Sequence, residues 1–183
     1  MAVLEQLKPA GVWRHFEALC GIPHPSGHEE GVAKYIEEKA KALGLPVERD
    51  AVGNVKVTQA ATKGHEKAPT LVLQGHMDMV GVCLESVKHD FTKDPIRPKI
   101  EGEYVRAQGT TLGADNGVGA AMMLAIMEDE DLVHPKIEHL FTINEEAGMD
   151  GAHGLEADFL EGRRLINLDT EEFGEFYISC AGG

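Results

Sequence analysis

Three apolar or alternating runs in this chain, Leu71–Leu73, Ile137–Ile143 and Leu165–Leu168, each stop beside side chains that a buried sheet would reject. The first leads into His76-Met-Asp78, the second into Asn144-Glu145-Glu146, and the third into Asp169. Runs of this length and composition read as strands, so the polar groups emerge where the strands end. In an open α/β sheet that rim is where ligands bind. Between the strands, Gly117–Met127 is rich in Ala, Met and Leu and reads as a buried helix. Strands alternating with helices predict an α/β domain with a mixed, mostly parallel sheet and helices on both faces.

The remaining punctuation fits that class. Val12, Phe16 and Leu19 recur at helical spacing before the Gly21-Ile22-Pro23 break. Ser26 followed by Glu29 reads as a capping box for a second helix, whose apolar positions are Val32, Tyr35, Ile36 and Leu43 and whose stop is Gly44 and Pro46. Further strands are expected at Val47–Glu48, Val55–Val57, Ile100–Val105 with a turn at Glu101-Gly102, and Phe176–Ile178. Ala60–Pro69 reads as an exposed loop.

With 183 residues and 43% hydrophobic content, one sizeable core and one domain are the expectation. A formal charge of −14 without a local basic patch argues against nucleic acid and anionic membrane surfaces as partners. Much of that charge serves solubility, although carboxylates are also hard ligands for divalent cations. Cys20, Cys83 and Cys180 are odd in number and far apart, which suggests neither a disulfide framework nor a thiolate zinc site. The opening MAVLEQLKPAG has no apolar run of signal-peptide length, and no stretch of about 18 apolar residues occurs. A cytoplasmic protein is expected.

Residues two apart on a strand share a face, so His76 and Asp78 can point into one crevice. One imidazole nitrogen can bind zinc while a carboxylate accepts a hydrogen bond from the other; the plainer alternative is a solvated strand end. Gly109–Gly119 is a glycine-punctuated loop that fits neither a P-loop nor Gly-x-Gly-x-x-Gly, and its one charged residue is Asp115. Bridging two metals or capping the following helix are its two readings. Glu145 and Glu146 suit two roles, a metal ligand and a proton acceptor for an activated water. Asp169 adds one more carboxylate at a strand end. Imidazole and oxygen donors without thiolate suit catalytic zinc, manganese or cobalt, with two ions about 3.5–4 Å apart if Asp115 bridges. His28-Glu29-Glu30 reads as a helix start, Cys83 as a structural thiol, His134, His139 and His153 as structural or exposed, and Met122, Met123 and Met127 as core.

At these residues the chain resembles the dinuclear zinc peptidases related to aminoacylase and glutamate carboxypeptidase, and among them the bacterial aminoacyl-histidine (Xaa-His) dipeptidases. The likeness runs through Cys20-Gly-Ile-Pro-His-Pro-Ser26, Glu48-Arg-Asp-Ala-Val-Gly-Asn54, His89-Asp-Phe-Thr-Lys-Asp-Pro95, Gly109–Gly117, Glu145-Glu-Ala-Gly-Met-Asp-Gly151 and Cys180-Ala-Gly-Gly183. It implies that His76 and Asp169 bind one metal, Asp115 bridges, Glu146 binds the second, Glu145 is the general base and Asp78 orients His76. It further implies a cis peptide after Asp115, a bridging hydroxide as nucleophile, dipeptide substrates of the carnosine type and a homodimeric enzyme. A deacylase or an aminotripeptidase shares the same metal motifs. Relatives continue into a lid or dimerisation domain and a final metal-binding His. Residues 1–183 are therefore expected to form the N-terminal part of the catalytic domain, with those later parts absent and activity of this stretch alone an open alternative.

Overall fold

The structure, a computed structural model, describes residues 3–170 and 174–178. Two helices lead the chain, α1 (Ala10–Cys20) and α2 (Glu30–Ala42). Strands β1 (Val47–Arg49), β2 (Val55–Gln59) and β3 (Leu71–His76) follow, then a hairpin of β4 (Pro98–Glu101) and β5 (Tyr104–Ala107). After α3 (Ala114–Glu128) and β6 (Ile137–Thr142) come two one-turn helices, α4 (Glu145–Gly148) and α5 (Asp150–His153), and β7 (Arg164–Asn167).

The main sheet runs β1-β2-β6-β3-β7. β6 lies at its centre, antiparallel to β2 and parallel to β3, and all six of its residues are buried. β3 also pairs in parallel with β7, while β1 and β2 are antiparallel. The mixed sheet is as expected, but its pairings divide evenly between parallel and antiparallel.

One face of the sheet carries Val55, Val57, Leu73, Ile137 and Phe141, which join the main core with Phe16, Ile36, Met123 and Leu124 from the three long helices. The stripe Val32, Ala33, Ile36 and Ala40 turns α2 inward, and Gly44 at φ 69° ends the helix where the sequence placed its stop. Helix α3 is apolar nearly all round because α1 covers it on the side away from the sheet; Gly11 of α1 lies against Ala125 of α3. Among the described residues the opposite face carries no long helix. There Val72 and Leu140 meet the segment after α5, and buried Glu138 accepts the backbone amides of Glu161 (3.2 Å) and Gly162 (2.9 Å). Lys56, also on this face, donates to the Phe159 carbonyl at 2.7 Å.

Two local expectations change. Phe176–Ile178 forms no ladder with any described strand and its side chains are exposed; an apolar pattern defines a strand only where a partner edge is available. The Ser26–Glu29 capping box does not form either, since α2 has no side-chain cap bond and both side chains are engaged elsewhere. Cys20 is a buried free thiol that burial pushes up to about 12. Cys83 turns its thiol to the Val87 carbonyl, and Cys180 lies outside the described residues. His139 is buried against Gln59, His153 is exposed, and Met123 and Met127 are core.

Phe141 is fully buried at the centre of the sheet and of the helical core. Phe141→Ala is expected to destabilise the protein by about 3–5 kcal/mol in urea unfolding, because a large cavity opens where the layers meet.

Candidate metal centre

The site forms where β3 and β6 stop side by side, with His76 opposite Thr142 in the parallel register. His76 is the last residue of β3 and only 1% exposed. Its Nδ1 is hydrogen-bonded to the Asp78 carbonyl at 2.9 Å and lies 3.3 Å from Asp78 Oδ1. Nε2 is thereby aimed at the rim, where it meets Asp115 Oδ1 at 3.1 Å, Asp169 Oδ2 at 3.7 Å and Glu145 Oε2 at 4.0 Å.

Asp115 comes from the loop that starts α3. Its backbone (φ −83°, ψ 113°) is not helical, nor is that of Asn116, and the bond between them is cis, as the family resemblance implied. The helix becomes regular at Gly117, so Asp115 stands ahead of it with its side chain 59% exposed. Asn116 folds inward, donating from Nδ2 to the Leu168 carbonyl (2.8 Å) and Asp169 Oδ1 (2.9 Å). It thus ties the end of β7 to the start of α3, a role that the sequence reading did not assign to it. Glu145 and Glu146 do not continue β6. They open α4, which turns both carboxylates toward the rim instead of to opposite faces of a strand.

Ligand atoms of His76, Asp115 and Glu146 lie within 4.8 Å of one another, a grouping that could hold a metal ion. The donor set is one imidazole nitrogen and carboxylate oxygens, which fits zinc, manganese or cobalt. A cavity of about 180 Å³ adjoins it, and its lining includes Glu145 and Asp169 together with Leu140, Met149 and Leu165.

Electrostatics mark the cluster as short of positive charge. Burial works against a charged His76, but the hydrogen bond with Asp78 and the charge of Asp169 outweigh it and raise its pKa from 6.5 to about 9. Asp78 is also opposed by burial, yet bonds from His76, Ser26 and two backbone amides hold it down, from 3.8 to about 2. Burial and the adjoining Asp115 raise Asp169 from 3.8 to about 6, and the same two causes raise Glu146. Carboxylates crowded until they resist ionisation are the condition that a divalent cation relieves.

A mixed sheet whose parallel strands deliver an imidazole and several carboxylates to one rim defines an α/β domain of the metal-site class. The chain belongs to peptidase family M20/M25/M40, whose pattern matches residues 72–178 and so spans every member of the cluster. It is 54% identical over all 183 residues to the cytosol non-specific dipeptidase of Escherichia coli, of which it spans 38%. The aminoacylhistidine dipeptidase from Vibrio alginolyticus has the same fold at a TM-score of 0.92 and 51% identity, over 93% of this chain and 35% of that one. A tripeptidase from Staphylococcus aureus is similar at a TM-score of 0.74 and 26% identity, over 93% of this chain and 44% of that one.

In the metal-free protein the positive charge of His76 stabilises the fold fully below pH 6.5, and that contribution is lost as pH rises through about 9. The Asp78 charge contributes above 3.8 and is lost as pH falls through about 2. NMR titration is expected to find the His76 ring titrating well above 6.5, and Asp78→Asn to bring it down. A wild-type midpoint at or below 6.5 would contradict this account.

Proposed function

We propose that this region belongs to the catalytic domain of a cytoplasmic, two-metal dipeptidase that cleaves Xaa-His dipeptides, those of the carnosine type included. The observation that carries the reading is the convergence of His76, Asp115 and Glu146 within 4.8 Å, with Asp169 3.7 Å from the same imidazole nitrogen. The dipeptidase activity rests on similarity to the E. coli and Vibrio enzymes, the cytoplasmic location on similarity to the former alone, and the histidine preference on similarity to the latter. The complete enzyme is proposed to be a homodimer.

In this reading His76 and Asp169 would hold one ion, Glu146 would hold the other and Asp115 would be shared between them. Two divalent ions, zinc by preference, would supply polarisation of the scissile carbonyl and a more acidic water. The chain's own groups do the rest. Asp78 fixes the His76 ring through Nδ1 and leaves Nε2 free to face the rim. Glu145 Oε2, beside the donor cluster at the start of α4, takes the proton from the attacking water and delivers it to the departing amine. Leu140, Met149 and Leu165 line the same cavity as that carboxylate and offer apolar surface to an uncharged part of the substrate.

The test uses the full-length protein with β-alanyl-histidine, other dipeptides, a tripeptide and an N-acyl amino acid, each with and without added zinc. Zinc-dependent turnover fastest on β-alanyl-histidine is expected; preference for the tripeptide or the acyl amino acid would overturn the substrate assignment. Asp115→Ala should lose bound metal by elemental analysis. Glu145→Gln should keep its metal and lose about 10²–10⁴-fold in kcat. Unchanged metal content in the first, or near wild-type turnover in the second, would remove the assigned role.

A further inference from the structure

Beyond Thr142 the chain leaves the β6 ladder, and the next four backbone amides precede the first internal bond of α4. Each is taken by a side-chain oxygen from another part of the molecule. The Ile143 amide donates to Asn54 Oδ1 at 3.1 Å and the Asn144 amide to Glu29 Oε1 at 3.0 Å. The Glu145 and Glu146 amides donate to Asp78 Oδ1 and Oδ2 at 2.9 and 3.2 Å. Asn144 sits at φ 50°, ψ 39°, a left-handed conformation that Asn tolerates better than most residues, and its side chain bonds Asp150. Four successive amides held from outside leave this turn one geometry, and that geometry aims the two carboxylates.

The holders are themselves held. Asn54 donates to the Gly151 carbonyl and to Asp50, whose other oxygen accepts the amides of residues 52–54. Glu29 is 6% exposed, and its Oε1 also accepts the Gly27 amide at 2.9 Å. Ser26 Oγ donates to Asp78 Oδ2 at 2.7 Å. The loop from His24 to Glu29 lies along the end of β3, with the Met79 amide donating to the His24 carbonyl. Ser26 and Glu29, which by spacing would cap α2, therefore both face the metal centre's scaffold.

We infer that Ser26 and Glu29 are positioning residues of the metal centre, Glu29 by fixing the turn that launches Glu145 and Glu146, and Ser26 by fixing the Asp78 carboxylate that holds both their amides. The inference rests on the two-metal reading above. Neither residue contacts the metal donors' ligand atoms; each acts on where those atoms stand, and sub-ångström placement is what such sites require.

The experiment compares Ser26→Ala with Ser26→Thr, and Glu29→Ala with Glu29→Gln, in the full-length protein. Threonine keeps the hydroxyl donor, and the glutamine amide oxygen can accept the same two backbone amides. Zinc affinity by chelator competition, kcat and KM for β-alanyl-histidine, and Tm are measured for each. The alanine variants are expected to lose about 10–100-fold in zinc affinity or kcat with KM little changed, and the conservative variants to recover most of that loss. Wild-type zinc affinity and kcat in both alanine variants overturn the inference. So does a loss that follows Tm and that threonine and glutamine fail to recover, since that marks a contribution to folding alone. Failure of the unmodified protein to bind zinc needs no variant to be seen, and it overturns the two-metal reading and this inference with it.

Discussion

The Asp78 carboxylate is the interaction on which the site depends. It is 1% exposed, and its two oxygens receive the Ser26 hydroxyl and the amides of Glu145 and Glu146, while His76 Nδ1 stands 3.3 Å away. One buried charge thus joins the end of β3, the loop before α2 and the first turn of α4. A buried carboxylate is tolerated only when such donors replace the water it has lost, and here they do so well enough to hold it ionised. The donors are the frame of the site, so the bonds that stabilise Asp78 also set the direction of the imidazole and of two further carboxylates.

Charge is distributed in opposite senses at two places in the molecule. Glu128, at the end of α3, gathers Arg14, Lys39 at 3.6 Å and the buried His15 imidazole at 3.1 Å, whose pKa burial lowers, so that one carboxylate has two cationic neighbours and a ring nitrogen. At the rim of the sheet one imidazole faces Asp115, Glu145 and Asp169 within 4.0 Å, with Glu146 close by. The first arrangement is closed and tethers α1 and α2 to α3. The second leaves negative charge unbalanced, and a fold carries such a local conflict where function needs it. The net charge of −14 does not by itself distinguish the two.

Much of the scaffold was legible from periodicity. The end of α1, the start of β3, the extent of β6 to within one residue, the start of regular helix at Gly117 and the turn at Gly102 follow from where apolar spacing, glycine and proline fall. Reading failed where local pattern and tertiary contact compete for the same side chain. Ser26 and Glu29 have capping-box spacing, but a buried Asp78 and an Asn144 amide that the β6 ladder does not pair offer stronger demands than the exposed end of a helix. The apolar trio Phe176–Ile178 looks like a strand and pairs with no described one, because pairing is a property of two segments and not of one.

The sequence alone determined which side chains can do chemistry here. Apolar strands force polar residues to their ends, and His76, Asp78, Glu145, Glu146 and Asp169 stand at such ends, with Asp115 alone in its glycine-rich loop. Only the tertiary structure decided which atoms meet. The contacts that aim the site join residues 52, 67, 89 and 115 positions apart, through Ser26–Asp78, Asp78–Glu145, Asn54–Ile143 and Glu29–Asn144. Periodicity is a local property and carries no information about such pairs. They arise when the sheet forms and each amide that the β6 ladder leaves unpaired must find an acceptor.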